Sequence, residues 1–320
     1  MILVTGATGF IGKAVLKRLL AKDQARCVVV AARSGGEHWP RAVLPRVTGD
    51  LEPSTDWSVA LEGVSAVVHC AARVHVMNDT ARDPLAEYRR INVQGTLNLA
   101  RQSAAAGVRR FVFISSIKVN GEATHLGAPF FADDIPAPHD PYGVSKMEAE
   151  KGLREISATT GMEVVIIRPP LVYGPGVKAN FASMMRWLKR GIPLPLGAIN
   201  NQRSLVALDN LVDLIVTCIT HPAAANQTFL VSDGEDLSTT QLLRRMGAAL
   251  GKPARLMPIP VFALKLGAAL VRKPELAQRL CGSLQVDVSK TAELLGWRPP
   301  FSVDEGLTKA AEGYLRETAV

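Results

Sequence analysis

A glycine-spaced turn close to residue 1 constrains this chain more than any other feature. The first apolar run, residues 1–5, ends in Thr5-Gly6-Ala7-Thr8-Gly9-Phe10-Ile11-Gly12. A helical apolar period follows over 11–21. Gly6 permits a tight turn, Gly9 lets a pyrophosphate approach the backbone, and Gly12 lets the helix pack closely on the strand. The helix N-terminus then presents N–H groups and the positive end of its dipole to phosphates. A glycine triplet means little alone. Here a strand precedes it and an amphipathic helix follows, the context a dinucleotide turn requires.

The next 150 residues repeat that alternation. Apolar runs at 27–32, 66–71, 110–115 and 163–168 are separated by helical patterns, notably at 84–106 and 146–159. Strands buried on both faces read as such continuous runs. Alternation of this kind predicts an α/β fold, a Rossmann-type doubly wound parallel sheet with helices on both faces. After Arg168 prolines and glycines cluster, as in Pro169-Pro170 and Gly174-Pro175-Gly176. Residues 1–169 are therefore expected to bind the dinucleotide. Residues 170–320 are expected to form a smaller, mainly substrate-binding part, with 205–207 and 228–232 returning to the sheet.

Composition narrows the class. The formal charge is +8, but the basic residues are scattered and only 5% of residues are aromatic. That pattern speaks against nucleic acid and for anionic small molecules. Cys27, Cys70, Cys218 and Cys281 lie far apart with no CxxC, so they read as reduced packing residues and not as a metal site. The N-terminus lacks a basic region before its apolar run, unlike a secretory signal, and the expected location is cytoplasmic. The apolar stretch 261–271 contains Lys265 and is shorter than the roughly 20 residues of a membrane span. It reads as a buried or half-buried helix, with a helix resting on a membrane surface as the lesser alternative. No integral membrane segment is expected.

The end of the second strand bears on the cofactor. Val30-Ala31-Ala32-Arg33-Ser34 carries no carboxylate for the adenosine ribose, whereas Arg33, beside Ser34, offers a planar fork for a 2′-phosphate. NADP(H) is the favoured cofactor and NAD(H) the alternative. Asp50, in Gly49-Asp50-Leu51, follows the expected third strand and is placed to meet the adenine amino group.

Tyr142-Gly143-Val144-Ser145-Lys146 sets a phenol and an ammonium four residues apart, on one face of a helix. A nearby cation favours phenolate and moves the tyrosine toward a working range. Lys146 is also expected to hold the nicotinamide ribose. The strand before this helix ends in Ser115-Ser116, whose hydroxyls suit a substrate oxygen. Of the histidines, His69 ends a buried strand and reads as structural; His75, His125, His139 and His221 have no evident partners, and no metal is expected.

Together, TGATGFIG, His69-Cys70-Ala71-Ala72, Ser115-Ser116, Tyr142/Lys146 and Arg168-Pro169-Pro170-Leu171-Val172-Tyr173-Gly174-Pro175 resemble an extended short-chain dehydrogenase/reductase. More narrowly, the chain resembles the nucleotide-sugar epimerase/dehydratase/4-ketoreductase group. The resemblance implies Tyr142 as acid/base, Lys146 as its modulator and Ser116 as substrate hydrogen-bond donor, with Ser115 the runner-up. It implies dinucleotide contacts from Thr8, Phe10, Ile11, Leu51, Ala71, Ala72, Pro169 and Val172. For the substrate it implies Asn180, Arg203 and, less directly, Arg279 at a diphosphate, and Leu194 and Leu196 along a nucleotide base. Helices 84–106 and 146–159 resemble those of the group's homodimer interface.

Departures sort the reactions. Dehydratases of the group carry an Asp-Glu pair where this chain has Ile117-Lys118, which speaks against 4,6-dehydration. Asn120 and Leu171 also differ from many relatives. Because Arg33 favours exchangeable NADPH, the preferred expectation is a 4-ketoreductase acting on a UDP-linked 4-keto-6-deoxy (N-acetyl)hexosamine, as in bacterial lipopolysaccharide O-antigen synthesis. The alternative is a UDP-sugar 4-epimerase with tightly bound NAD. A third reading is a non-catalytic NADPH-binding sensor or assembly factor.

Overall fold

The computed structural model describes residues 1–21, 28–33, 39–74, 83–270 and 274–318. Cys27, Ser34, His75 and Val271 lie outside them. Ten strands are present among these residues: β1 (Ile2–Thr5), β2 (Val28–Ala32), β3 (Val43–Val47), β4 (Ala66–His69), β5 (Arg110–Ile114), β6 (Glu163–Arg168), β7 (Leu171–Tyr173), β8 (Arg203–Ala207), β9 (Thr228–Leu230) and β10 (Asp236–Leu237). Seven form one sheet in the order β3-β2-β1-β4-β5-β6-β9. Every neighbouring pair in it is parallel.

The side chains of these strands divide by period two. Ile2, Val4, Val28 and Val30 face a core shared with Val15 and Leu19 of the helix Phe10–Ala21 and with Leu211 and Ile215 of the helix Leu208–Thr220. Leu3, Val29, Val67 and Phe111 face the other side, against Leu99 of the helix Thr96–Ala105 and Leu153 of the helix Pro141–Thr160. Both faces are covered, which is why the strands read as unbroken apolar runs. Strand order reverses between β1 and β4, opening a crevice at the carboxyl ends of the strands. The glycine turn sits there, directly after β1.

The return to the sheet is only half as expected. β9 rejoins it beside β6. β8 does not. It is the centre of a separate three-stranded sheet, parallel to β7 and antiparallel to β10. Pro169-Pro170, which lack N–H donors, mark the point where the chain leaves the main sheet between β6 and β7. Tyr173, Met185, Leu205, Leu243 and Leu307 then build a second core under the smaller sheet.

The long helical pattern at 84–106 is continuous but irregular. An α-helical turn, Pro84–Tyr88, passes into a π-helical segment, Arg89–Gly95, before the helix Thr96–Ala105. The 146–159 pattern belongs to a longer helix that starts at Pro141. The apolar stretch after 260 forms the helix Val261–Leu270. Val261 and Leu264 pack on the second core, whereas Phe262, Leu266 and Leu270 are exposed. Among the described residues no helix is long and apolar enough to cross a membrane.

Candidate active site

The glycine turn closes as tightly as its sequence requires. Gly6 has φ +67°, and a Cβ there would lie 2.7 Å from Ala71 N. A Cβ on Gly12 would lie 2.1 Å from Gly6 O. Gly9 N donates to Gly6 O at 2.9 Å. Thr8 and Gly9 are exposed at the tip, and Phe10 and Ile11 open the helix behind it. The wall opposite is Ala71-Ala72, with Ala71 N donating to Thr5 Oγ1 at 3.3 Å. A side chain at Gly6 or Gly12 would collide with this backbone and force the turn open, so the residues present fit the close backbone approach that a dinucleotide pyrophosphate needs. Pro169 accepts from Ile117 N at 3.0 Å through its carbonyl, and Val172 packs against the first core from β7.

His69 is structural, as expected. Its Nδ1 meets Thr5 Oγ1 at 2.7 Å and its Nε2 meets Thr96 Oγ1 at 3.0 Å. Burial, helped by the Lys146 charge, pushes its pKa down to about 3, so the ring is neutral.

The reading of Arg33 needs correction. Its guanidinium lies 3.9 Å from the Asp50 carboxylate, and both side chains are largely exposed. Asp50 therefore offsets the charge that was to receive a 2′-phosphate, and would itself repel one. Asp50 also accepts from Thr55 Oγ1 through its carbonyl at 2.6 Å. Leu51 is half-buried, close against Gly95 of the π-helical segment.

The two serines after β5 have different surroundings. Ser115 is buried and donates to Glu150 Oε1 at 2.6 Å. Ser116 lines a cavity of about 780 Å³ together with Tyr142. Its hydroxyl accepts from Lys118 N at 3.3 Å, capping the short 3₁₀ turn Ile117–Val119. Geometry thus separates Ser116 from its runner-up.

Tyr142 enters the cavity from the first turn of its helix. Asp140 is the N-cap: its Oδ1 accepts from Gly143 N at 2.6 Å, and Pro141 occupies the first turn. Lys146, one turn on, is buried and donates to Ile114 O at 2.8 Å. Its Nζ sits 4.4 Å from the Phe113 ring centroid and 6.0 Å from that of Tyr142. Burial lowers the lysine to about 8, against the opposing pull of Cys70 and Glu150. The phenol departs from the sequence expectation. Burial, the Asp140 carboxylate and Tyr88 push its pKa upward, and the Ser116 hydrogen bond only partly offsets them. Without a bound partner, Tyr142 is a neutral proton donor.

Asn180, Arg203 and Arg279 line the same cavity as Ser116 and Tyr142. Arg203 bridges the helix Pro274–Cys281 to β8, donating to Arg279 O at 3.2 Å and Gly282 O at 3.1 Å. Leu171 lines the cavity too. Leu194 and Leu196 do not: they are buried in the second core, where Thr240 Oγ1 donates to Leu196 O at 2.6 Å. Their side chains therefore face away from the cavity that Ser116 and Tyr142 line.

Several site residues escaped the sequence reading. Lys118, Glu122, His139 and Asp140 line the cavity beside Ser116. Lys118 pairs with Asp140, and with Glu122 at 3.5 Å. The Asp-Pro step two residues before Tyr142 was a legible N-cap signal. Glu150 continues the 142, 146 spacing by one more turn and is fully buried, with Arg168 Nη2 at 2.6 Å. Asn92, in the π-helical segment, reaches Ser145 Oγ at 3.0 Å and holds the Arg73 backbone at 2.8 and 3.0 Å. No sequence period announces a π-segment.

Comparison with known proteins agrees with this architecture. Residues 2–232 match the model of the NAD dependent epimerase/dehydratase family. A Vibrio cholerae protein named UDP-glucose 4-epimerase is 52% identical over 316 residues, 98% of this chain and 95% of that protein. A GDP-6-deoxy-D-mannose reductase from Pseudomonas aeruginosa is 27% identical over 315 residues, 95% of this chain and 93% of that protein. The solved structure of MoeE5 in complex with UDP-glucose and NAD superposes with a TM-score of 0.76 at 27% identity, covering 100% of this chain and 99% of that one. The preferred 4-ketoreductase expectation is overturned here: the relative at 52% identity is a 4-epimerase, while the reductase is far more distant.

Proposed function

The chain belongs to the NAD-dependent epimerase/dehydratase family, and within it we propose that the protein is a UDP-glucose 4-epimerase, interconverting UDP-glucose and UDP-galactose with NAD. Its enzymatic class, an oxidoreductase mechanism on a nucleotide sugar, comes with the family. One observation carries the reading of the site: Ser116 and Tyr142 share a cavity with Asn180, Arg203 and Arg279, so one sugar diphosphate reaches both groups. The Vibrio cholerae relative supports the C4 reaction.

The glycine turn and Lys146 would hold NAD, which when bound would supply a reversible hydride acceptor for C4. Tyr142 takes the C4 hydroxyl proton as phenolate and gives it back as phenol. Ser116 holds the same oxygen. Lys146 holds the nicotinamide ribose, and its positive charge favours the phenolate. Gly6, Gly9 and Gly12 admit the cofactor pyrophosphate, with Thr8, Phe10 and Ile11 at the helix start. Asp50 and Leu51 meet the adenosine end, and Ala71, Ala72, Pro169 and Val172 line its path. Arg203 and Asn180, with Arg279, take the UDP diphosphate, for which a guanidinium fork is suited. Residues 1–169 serve the cofactor and 170–320 mainly the sugar nucleotide. The protein acts in the cytoplasm as a homodimer through the helices at 84–105 and 141–160.

The test is incubation of the purified protein with UDP-galactose, with NAD present and no reduced cofactor added. UDP-glucose forming catalytically, read through a UDP-glucose dehydrogenase couple after removal of the protein, is the expected result. Absence of interconversion, with NADPH consumed stoichiometrically against a 4-keto sugar nucleotide, overturns it. The Tyr142→Phe variant is expected to lose at least about 100-fold in kcat.

A further inference from the structure

The helix Val261–Leu270 leaves an apolar face uncovered. Phe262 is 73% exposed, Leu266 62% and Leu270 78%. These positions are four residues apart, so they form one stripe along the helix. The opposite face, Val261 and Leu264, is anchored on the second core. The segment leading into the helix adds exposed Met257, held against the Leu194 segment by Met257 N donating to Leu194 O at 2.8 Å. A stripe of three large apolar groups on one short helix exceeds the scattered single residues of an ordinary surface.

Charge says what covers it. From Leu237 to Pro274 the sequence holds seven basic residues, Arg244, Arg245, Lys252, Arg255, Lys265, Arg272 and Lys273, and no acidic one. That stretch accounts for most of the chain's net charge of +8. Arg244, Lys252, Arg255 and Lys265 are exposed. None of these four is in an ion pair with a described residue. Lys265 lies on the apolar helix itself, at the rim of the stripe. Lys265 sets a cation at the rim of the apolar face, and the sequence on either side of the helix, from Leu237 to Pro274, carries basic residues and no acidic one; that combination matches an anionic lipid surface, whose acyl chains receive the stripe and whose headgroups receive the cations.

We propose that the helix Val261–Leu270, with its basic flanks, seats this protein on an anionic lipid surface. The helix packs against the helix Pro274–Cys281, whose Gln278 and Arg279 line the substrate cavity. The seat therefore lies next to the diphosphate end of the cavity. Catalysis does not depend on it, because none of the three stripe residues lines that cavity.

The experiment is vesicle flotation of the full chain. Vesicles of phosphatidylglycerol and phosphatidylethanolamine are compared with phosphatidylcholine alone, at low salt and at roughly 0.5 M salt. Flotation with the anionic vesicles, lost with phosphatidylcholine and weakened by salt, is expected. Two variants separate the parts. The double variant Phe262→Ser/Leu266→Ser is expected to weaken partitioning on the order of 100-fold. Lys265→Glu is expected to weaken it on the order of tenfold. Both keep wild-type UDP-sugar turnover in solution, which certifies their fold. Protein that stays unbound with all vesicles overturns the proposal. So does a double variant that floats like wild type. Sedimentation showing a wild-type oligomer that the double variant loses, without lipid, would assign the stripe to a second copy of the chain and equally overturn it.

Discussion

At the scale of single residues, the proton chemistry turns on what surrounds Tyr142. Two influences oppose each other. On top of burial, which raises the phenol's pKa most, Asp140 caps the helix and places a carboxylate near the phenol that raises it further; Lys118 pairs with that carboxylate and dilutes its field. Asp140→Asn keeps a capping side chain, since Asn caps about as well as Asp, but removes the charge. A negative neighbour penalises phenolate, so its removal lowers the Tyr142 pKa. Because the first step uses phenolate, the acidic limb of the kcat–pH profile is expected to move to lower pH, with the melting temperature little changed. A limb that stays put would remove Asp140 from the proton chemistry. Lys146 gives a direct reading. Its pKa is lowered from the ordinary 10.5 to about 8 by burial, so it is charged below that pH and loses its charge as pH rises through it. Nitrogen NMR of the Nζ resonance in the cofactor-free protein is expected to show a midpoint near 8. Arg33 teaches the converse lesson: a residue type that suits a 2′-phosphate was read without the carboxylate that faces it.

At the scale of elements, β5, β6 and the helix Pro141–Thr160 are locked by one buried ion pair. Arg168, at the end of β6, donates to both oxygens of Glu150 at 2.9 and 2.6 Å. Its Nη1 also donates to Asn120 Oδ1 at 2.9 Å, reaching the turn after β5. Ser115 closes the set by donating to Glu150. Breaking such a pair leaves an uncompensated buried charge. Glu150→Ala is expected to cost about 3–5 kcal/mol of stability, measured by urea denaturation. A loss well under 1 kcal/mol would mean that water or movement resolves the stranded guanidinium. The 142, 146 spacing places Tyr142 and Lys146 on one helix face, and Glu150 follows one turn on. Only the packed structure shows that the third member points into the sheet and ties down Ser115, leaving Ser116 to the cavity.

At the scale of the whole molecule, two cores divide the labour. The parallel sheet carries the glycine turn, Ser116, Tyr142 and Lys146. The smaller sheet and its helices carry Asn180, Arg203 and Arg279 to the same cavity. The cofactor prediction belongs here, because it depends on β2 and β3 delivering Arg33 and Asp50 side by side. Calorimetry is expected to give tighter binding of NAD than of NADP, with the gap narrowing in Asp50→Asn. Tighter binding of NADP to the wild type would reverse the assignment.

The sequence by itself determined the parallel sheet, the glycine turn and the pairing of Tyr142 with Lys146. These are local features: a period, a backbone conformation and a helical spacing are written in neighbouring residues. It also marked 261–271 as unusually apolar, without saying which residues would be covered. Tertiary structure alone decided the rest. β8 left the main sheet for a second one, because the chain departs at Pro169-Pro170 and finds another core. Leu194 and Leu196 went into that core instead of the cavity. Ser115 and Ser116, identical in type and adjacent in sequence, faced opposite partners. The phenol's pKa rose despite a cation one turn away, since burial, which only the packed structure sets, outweighs that spacing, and the Asp140 carboxylate at the helix N-cap adds to it.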